Sequence, residues 1–167
     1  MAEDGFDRII SLHGAALRRL AEGYAADASE EEDLLQEILF AVWRALPSFR
    51  GECSERTFVL RVGHNRGLTY RTRRGKVYGL DEASGVADPR VDVEGDAALA
   101  DTRAILLRGI RQLPKSQREV IMLYLEGLSH REIAEVLGTT ENNAAARLSR
   151  GRKALRLLLA PLEAEHG

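Results

Sequence analysis

Residues 113–156 read LPKSQREVIMLYLEGLSHREIAEVLGTTENNAAARLSRGRKALR, and the punctuation of this stretch specifies three helices in tight succession. Ser116 with Glu119 has the spacing of a capping box, and Val120, Ile121, Leu123, Tyr124 and Leu125 supply apolar surface behind it. Gly127 stands where a left-handed C-terminal cap belongs, since a residue without Cβ adopts positive φ at no steric cost. Ser129 and Glu132 spell a second capping box, opening a short helix with Ile133, Ala134 and Leu137 on one side, and Gly138 ends it. Thr140 then caps a third helix whose apolar positions fall at Ala144, Leu148, Leu155 and Leu159, close to helical period. A short helix, a glycine turn and a second helix carrying Arg147, Arg150, Arg152, Lys153 and Arg156 is the pattern of a helix-turn-helix that reads the major groove. Capped helices joined by glycine also occur in other small helical domains, and a basic last turn also complements the helix dipole. The rest of the chain decides between these readings.

The chain has 167 residues, enough for one domain or two small ones with real cores. Charged residues make up 30% and aromatics 5%, a balance that points to a helical protein. No apolar run approaches membrane-spanning length, and MAEDGFDRII lacks a basic-then-apolar signal, so no membrane insertion is expected and the expected location is cytoplasmic. Cys53 is the only cysteine, which excludes an internal disulfide and suits a reducing compartment. No HExxH, paired-cysteine metal site, phosphate-cradling glycine loop or nucleophile with a base is present. The histidines at 13, 64, 130 and 166 lack ligand spacing. The expectation is therefore no catalytic residue, no metal, no cofactor and no enzymatic activity.

The net charge of −2 conceals strong patterning. Residues 22–37 hold seven acids and no Lys or Arg, and residues 61–76 hold six basic residues and no acid. Residues 81–101 turn acidic again, and the C-terminal third returns to basic. Blocks of alternating sign suggest several partner surfaces.

In chain order, Ile9, Leu12, Ala16 and Leu20 mark an amphipathic helix over 6–24, with Gly23 in the following turn. Ser29 with Glu32 is expected to cap a second helix that runs to about Leu46, where Pro47 stops it. Its core stripe is Leu35, Ile38, Leu39, Val42 and Leu46. Asp33, Gln36, Glu37 and Phe40 fall at i, i+3, i+4 and i+7, an acidic face carrying one large aromatic. That face is either solvated, with Phe40 tucked under a neighbour, or a docking surface for a basic or helical partner. Ser54 can cap a third helix reaching Arg74, with Phe58, Val59 and Val62 inward and Arg61, His64 and Asn65 on another face. Aromatics interleaved with arginine suit single-stranded nucleic acid, although Phe58 also fits plain core. From Val77 to about Glu94 there is no periodicity and much acid, the composition of a flexible linker. A helix resumes near Asp96, with Leu99, Leu106, Ile110 and Leu113 as its buried stripe. The expected fold is all-α: a helical unit at 1–76, a linker at 77–95, a second helical unit at 96–162 and a tail at 163–167.

These residues carry a family resemblance. DLLQEILFAVWRALPSFRGECSERTFVLRVGHNRGLTYRTRR resembles region two of bacterial RNA polymerase sigma factors, and LPKSQREVIMLYLEGLSHREIAEVLGTTENNAAARLSRGRKAL resembles region four. Nothing substantial lies between them, as in the compact extracytoplasmic-function (ECF) group. The resemblance implies a factor that binds core RNA polymerase and directs promoter-specific initiation. Its partners would be the β′ clamp coiled coil, the β subunit, promoter DNA and an anti-sigma factor.

The resemblance also implies roles for residues. Asp33, Gln36, Glu37 and Phe40 align with the helix that grips the β′ coiled coil. Phe49 and Arg50 fall in the loop that helps hold a flipped base of the non-template minus-10 strand. Phe58, Arg61, Asn65, Arg66, Tyr70, Arg71, Arg73 and Arg74 would complete the minus-10 contacts. Asn142, Asn143, Ala145, Ala146, Ser149 and Arg150 resemble the positions that read the minus-35 element, and Arg147, Arg152 and Lys153 would hold phosphates. The acidic linker resembles the segment that threads toward the RNA exit path. The chain departs from the family in having Phe58 where tryptophan is usual, Thr69 where aspartate is common, and three alanines at 144–146 on the reading helix. These departures bear on the promoter sequence more than on the function. A stand-alone helix-turn-helix regulator is the other reading, and it leaves Phe40 and the N-terminal unit unexplained.

Overall fold

The computed structural model describes residues 2–78 and 97–165, and every regular element among them is helical. The linker expected at 77–95 lies outside the described residues from 79 onward. α1 (Ala2–Tyr24), α2 (Ala28–Ala45) and α3 (Glu55–Tyr78) pack pairwise on one another, with a 3-10 turn at Leu46–Ser48 between the last two. Ile9, Leu17 and Leu20 of α1, Leu34, Ile38 and Val42 of α2, and Val59 and Leu60 of α3 are all but sealed from solvent. Each such side chain contributes about 1.5–3 kcal/mol of burial free energy. α4 (Ala97–Gln112), α5 (Lys115–Leu125), α6 (His130–Leu137) and α7 (Glu141–Glu165) form the second group, in which α7 backs α4, α5 and α6. Among the described residues no helix is long and apolar enough to cross a membrane.

Most of the expected caps form. Ser129 and Glu132 make the full reciprocal box, and Gly138 closes α6 at φ 67°. The Asn143 N–H donates to Thr140 Oγ1 at 3.1 Å, and the Thr57 N–H to Ser54 Oγ at 3.0 Å. Gly127 has φ 84°, the left-handed turn expected after α5. Two boxes are overturned. α5 starts one residue before Ser116, at Lys115 behind Pro114, whose φ of −53° sets the first turn without a side-chain cap. Glu119 is then buried rather than reaching back. α2 is capped by Asp27, whose side chain accepts the Glu30 N–H while Glu30 reaches back to Ala26, two residues ahead of the expected Ser29–Glu32 pair. Both stripes also lose one member. Leu12 is 62% and Leu99 69% exposed: the buried face of α1 runs through Leu17 instead, while α4 is buried only toward its C-terminal end, where Ile110 is sealed as expected.

Glycines set how closely α1 and α3 approach. A Cβ on Gly67 would stand 2.6 Å from the Tyr24 ring, and one on Gly63 would stand 2.9 Å from Leu20. The Tyr24 hydroxyl is thereby brought onto Nδ1 of His64, and both residues are buried. His64 is thus a core residue, not a member of the Arg61–Asn65 surface.

The two helix groups dock on each other. α3 packs on α6 and α1 touches α4. The Met122 side chain fills the notch left by Gly23, which lies inside α1 rather than in a turn. Arg19 donates to both carboxylate oxygens of Glu126 at 2.6 and 2.8 Å, and Arg56 donates to the Glu126 carbonyl. Glu22 pairs with Arg103 and accepts from Arg111 at its backbone carbonyl.

Burial, reinforced by the Lys115 charge, pushes the His64 imidazole down to about 4 from 6.5, while burial raises the Tyr24 hydroxyl. The hydroxyl is therefore the donor and neutral His64 the acceptor. Since the folded state resists protonation, the unfolded chain binds the extra proton between pH 6.5 and 4, and stability falls as pH falls through that window. The expected loss is on the order of 3 kcal/mol. Urea unfolding of wild type and His64→Gln at pH 7 and 4.5 checks this: the variant should lose clearly less stability on acidification, and an equal loss contradicts the assignment.

Candidate nucleic-acid interface

The second helix of the helix-turn-helix is seated by its small side. Ala144 and Leu148 are buried against the helices behind, and a Cβ on Gly151 would meet Ile121 at 3.1 Å, so α7 lies flush on α5. The opposite side carries Asn142, Ala146, Ser149, Arg150, Arg152 and Lys153 exposed, with Asn143, Ala145 and Arg147 half-buried. All nine expected minus-35 positions therefore sit on one helix and none is sealed. Asn143 is partly committed: its side-chain amide donates to Thr139 Oγ1 at 2.6 Å, leaving one N–H and its carbonyl oxygen. Arg152 rests over the Tyr124 ring at 5.5 Å. Arg147, Arg150 and Lys153 have no acidic partner among the described residues, so their charges are not neutralised within the chain.

The N-terminal group brings the other two sets of expected residues together. Pro47 opens the 3-10 turn that ends α2, and Gly51 at φ 76° reverses the chain after Arg50. Phe49 is half-buried and tilts against Phe58 with centroids 4.8 Å apart, while Arg50 is exposed. Phe58 itself is 7% exposed and Tyr70 5%, so neither ring is free to stack on a base as the sequence reading had it. Their place is below the surface: Arg61 covers Phe58 at 5.8 Å, and Arg73 and Arg74 cover Tyr70 at 5.4 and 5.9 Å. Asn65 is exposed and Arg71 half-exposed.

Asp33, Gln36, Glu37 and Phe40 of α2 and Arg66, Tyr70, Arg73 and Arg74 of α3 line one cleft of about 550 Å³. The acidic block and the basic block, read from sequence as surfaces for separate partners, partly neutralise each other here. Glu37 lies 2.7 Å from Arg73 and 3.3 Å from Arg66, and Glu30 lies 2.7 Å from Arg74. At the edge of the cleft, Phe40 is 55% exposed and stacks with Trp43 at 5.9 Å, 49% exposed. Arg44 lies over the Phe40 ring. Trp43 escaped the sequence reading, although it follows Phe40 at i+3 and so shares its face. The two rings together leave an exposed apolar patch on α2.

The family models for Sigma-70 region 2 and Sigma-70 region 4 match residues 9–77 and 103–155. The RNA polymerase sigma-H factor of Pseudomonas aeruginosa is 30% identical over 94% of this chain and 87% of its own length. The ECF RNA polymerase sigma factor SigM of Mycobacterium tuberculosis is 30% identical over 92% of this chain and 76% of its own. The chain belongs to the ECF sigma factors. Among solved structures, the sigma factor RpoE of Bartonella quintana, in complex with the anti-sigma factor NepR, superposes on this ECF sigma factor with a TM-score of 0.75. It has 25% identity and covers 93% of this chain and 96% of that one.

Burial separates the two kinds of aromatic in the N-terminal group. Phe58→Ala is expected to destabilise the chain by about 3–5 kcal/mol, and Phe40→Ala by less than about 0.5 kcal/mol. Equal denaturation midpoints for the two variants would place Phe40 in the core and remove it from the free surface.

Proposed function

We propose that this sigma factor binds core RNA polymerase and directs initiation at promoters carrying minus-35 and minus-10 elements. The observation that carries the reading is the order and spacing of the region 2 and region 4 matches in one chain, together with an exposed Phe40–Trp43 pair set beside carboxylates. The working division is 1–76 for polymerase docking and minus-10 recognition and 96–162 for minus-35 recognition, joined by 77–95, with a tail at 163–167.

Asp33, Gln36, Glu37 and Phe40, with Trp43, form the docking face for the β′ clamp coiled coil. Carboxylates steer a basic partner, and the two rings supply the buried area from which most affinity comes. Phe49 and Arg50 attend a base extruded from the minus-10 strand. Extrusion costs a few kcal/mol, and stacking returns about 1–3 kcal/mol per base. Strand opening then needs no fuel from this chain, because preferential binding of the open strand shifts the equilibrium. Arg61, Asn65, Arg66, Arg71, Arg73 and Arg74 follow the strand, with Phe58 and Tyr70 as the floor beneath them. On α7, Asn142, Asn143 and Arg150 read bases, each good bidentate pair being worth about 1–3 kcal/mol of discrimination. Ala145, Ala146 and Ser149 let the helix sit close, and Arg147, Arg152 and Lys153 hold phosphates. An anti-sigma factor is a further partner, as for the Bartonella relative, and the site of action is the cytoplasm.

The test mixes the protein with core polymerase and scores initiation from a matched promoter. Phe40→Ala and Asp33→Arg should weaken core binding by tenfold or more, about the effect of removing a hot-spot side chain. Wild-type initiation by both variants rejects the docking face. Asn143→Ala should narrow the gap between matched and mismatched minus-35 sequences, and an equal loss on both shows that Asn143 holds position without reading.

A further inference from the structure

Glu37 belongs to two surfaces at once. It stands in the acidic face of α2 beside Phe40, yet both of its oxygens are turned to α3. Oε1 accepts from Arg73 Nη2 at 2.7 Å, and Oε2 lies 3.3 Å from Arg66 Nε. The two contacts differ in kind. The Arg73 contact is an aligned, charge-assisted hydrogen bond, whereas Glu37 Oε2 and Arg66 Nε are both shut off from solvent without a hydrogen bond. Charge attraction holds that second pair, and its geometry leaves it open to a better donor. Arg74 is held separately by Glu30, so releasing Glu37 would leave it in place.

We propose that Glu37 is a shared carboxylate coupling the two partners of this region. In the free chain it occupies Arg66 and Arg73. When the basic polymerase surface engages α2, Glu37 turns to that surface and leaves both guanidiniums for nucleic-acid phosphates. The inference rests on the docking role given to α2 above and adds to it an order of events, docking before strand capture. By linkage the effect is reciprocal: the factor that docking adds to DNA affinity, DNA adds to docking.

The experiment needs no polymerase. The full chain is titrated with a labelled single-stranded DNA oligonucleotide across a fourfold range of salt, as wild type, Glu37→Gln and Asp33→Asn. Glu37→Gln keeps the shape and removes the charge. Each freed arginine steepens the dependence of log affinity on log salt by about 0.7, so two give about 1.4, or about sevenfold over that range. Asp33→Asn removes the same charge from the same face but pairs with neither arginine, and should leave the slope unchanged. The added slope should vanish when Arg66 and Arg73 are also changed to Gln. A wild-type slope in Glu37→Gln overturns the proposal, as does an equal steepening in Asp33→Asn or a gain that survives loss of both arginines. Because polymerase is absent, a negative result leaves the docking face standing, and a failed docking assay leaves this result standing.

Discussion

Glu126 is the side chain on which the arrangement of the two helix groups turns. It ends α5, is only 6% exposed, and holds Arg19 in a two-pronged contact at 2.6 and 2.8 Å. Arg56 approaches the same carboxylate at 3.6 Å and donates to its carbonyl. A carboxylate withdrawn from water this far must be partnered, and removing the partners of a buried charge typically costs about 3–5 kcal/mol. Both arginines come from the N-terminal helices, so the charge is satisfied only while the halves are together. Glu22 repeats the device in the opposite direction, offering its carboxylate and its carbonyl to Arg103 and Arg111.

The chemistry of this seam suits a contact that has to open. A compact chain of this length is about 40 Å across. Promoter elements named for positions 25 base pairs apart lie on the order of 80 Å apart along the duplex. On the proposed function, the docked form cannot reach both elements, and the halves have to separate. The number of residues between Tyr78 and Ala97 allows a reach of at most about 65 Å, so together with the helix groups themselves the covalent path is long enough. Paired charges recover hydration when they part, and the net cost of opening them is far below that of exposing an apolar seam of equal area. The seam also has an apolar part, in which Met122 sits in the Gly23 notch and the buried residues of the two helix groups join in one cluster.

Local grammar was legible and long-range pairing was not. Ser129, Gly138, Thr140 and Ser54 cap as their spacing indicates, because each cap is settled within four residues. Where two caps compete the nearer motif gives no answer: Asp27 displaced Ser29, and Pro114 displaced Ser116. The helix-turn-helix surface was readable because a helix buried through Ala144 and Leu148 has to show its other side. The seam left no local trace, since Arg19 and Glu126 are 107 residues apart. Phe58 could be read as core or as a stacking ring and Tyr70 was read as a contact to the strand, and it is the burial of both rings, beneath arginines brought over them by the fold, that decides for core. The charge blocks were visible, but that 22–37 and 61–76 face each other depends on the α2–α3 turn at Pro47 and Gly51.

The docked seam can be tested by the distance between spin labels at Glu52→Cys and Glu141→Cys in a Cys53→Ser background, measured in the chain alone by pulsed electron resonance. Both sites are exposed, and they lie in different helix groups. A single narrow population below about 40 Å, turning broad and long in Glu126→Arg, is the predicted result. A broad distribution in the unaltered seam, or a narrow one indifferent to Glu126→Arg, would contradict the claim that paired charges hold the halves together.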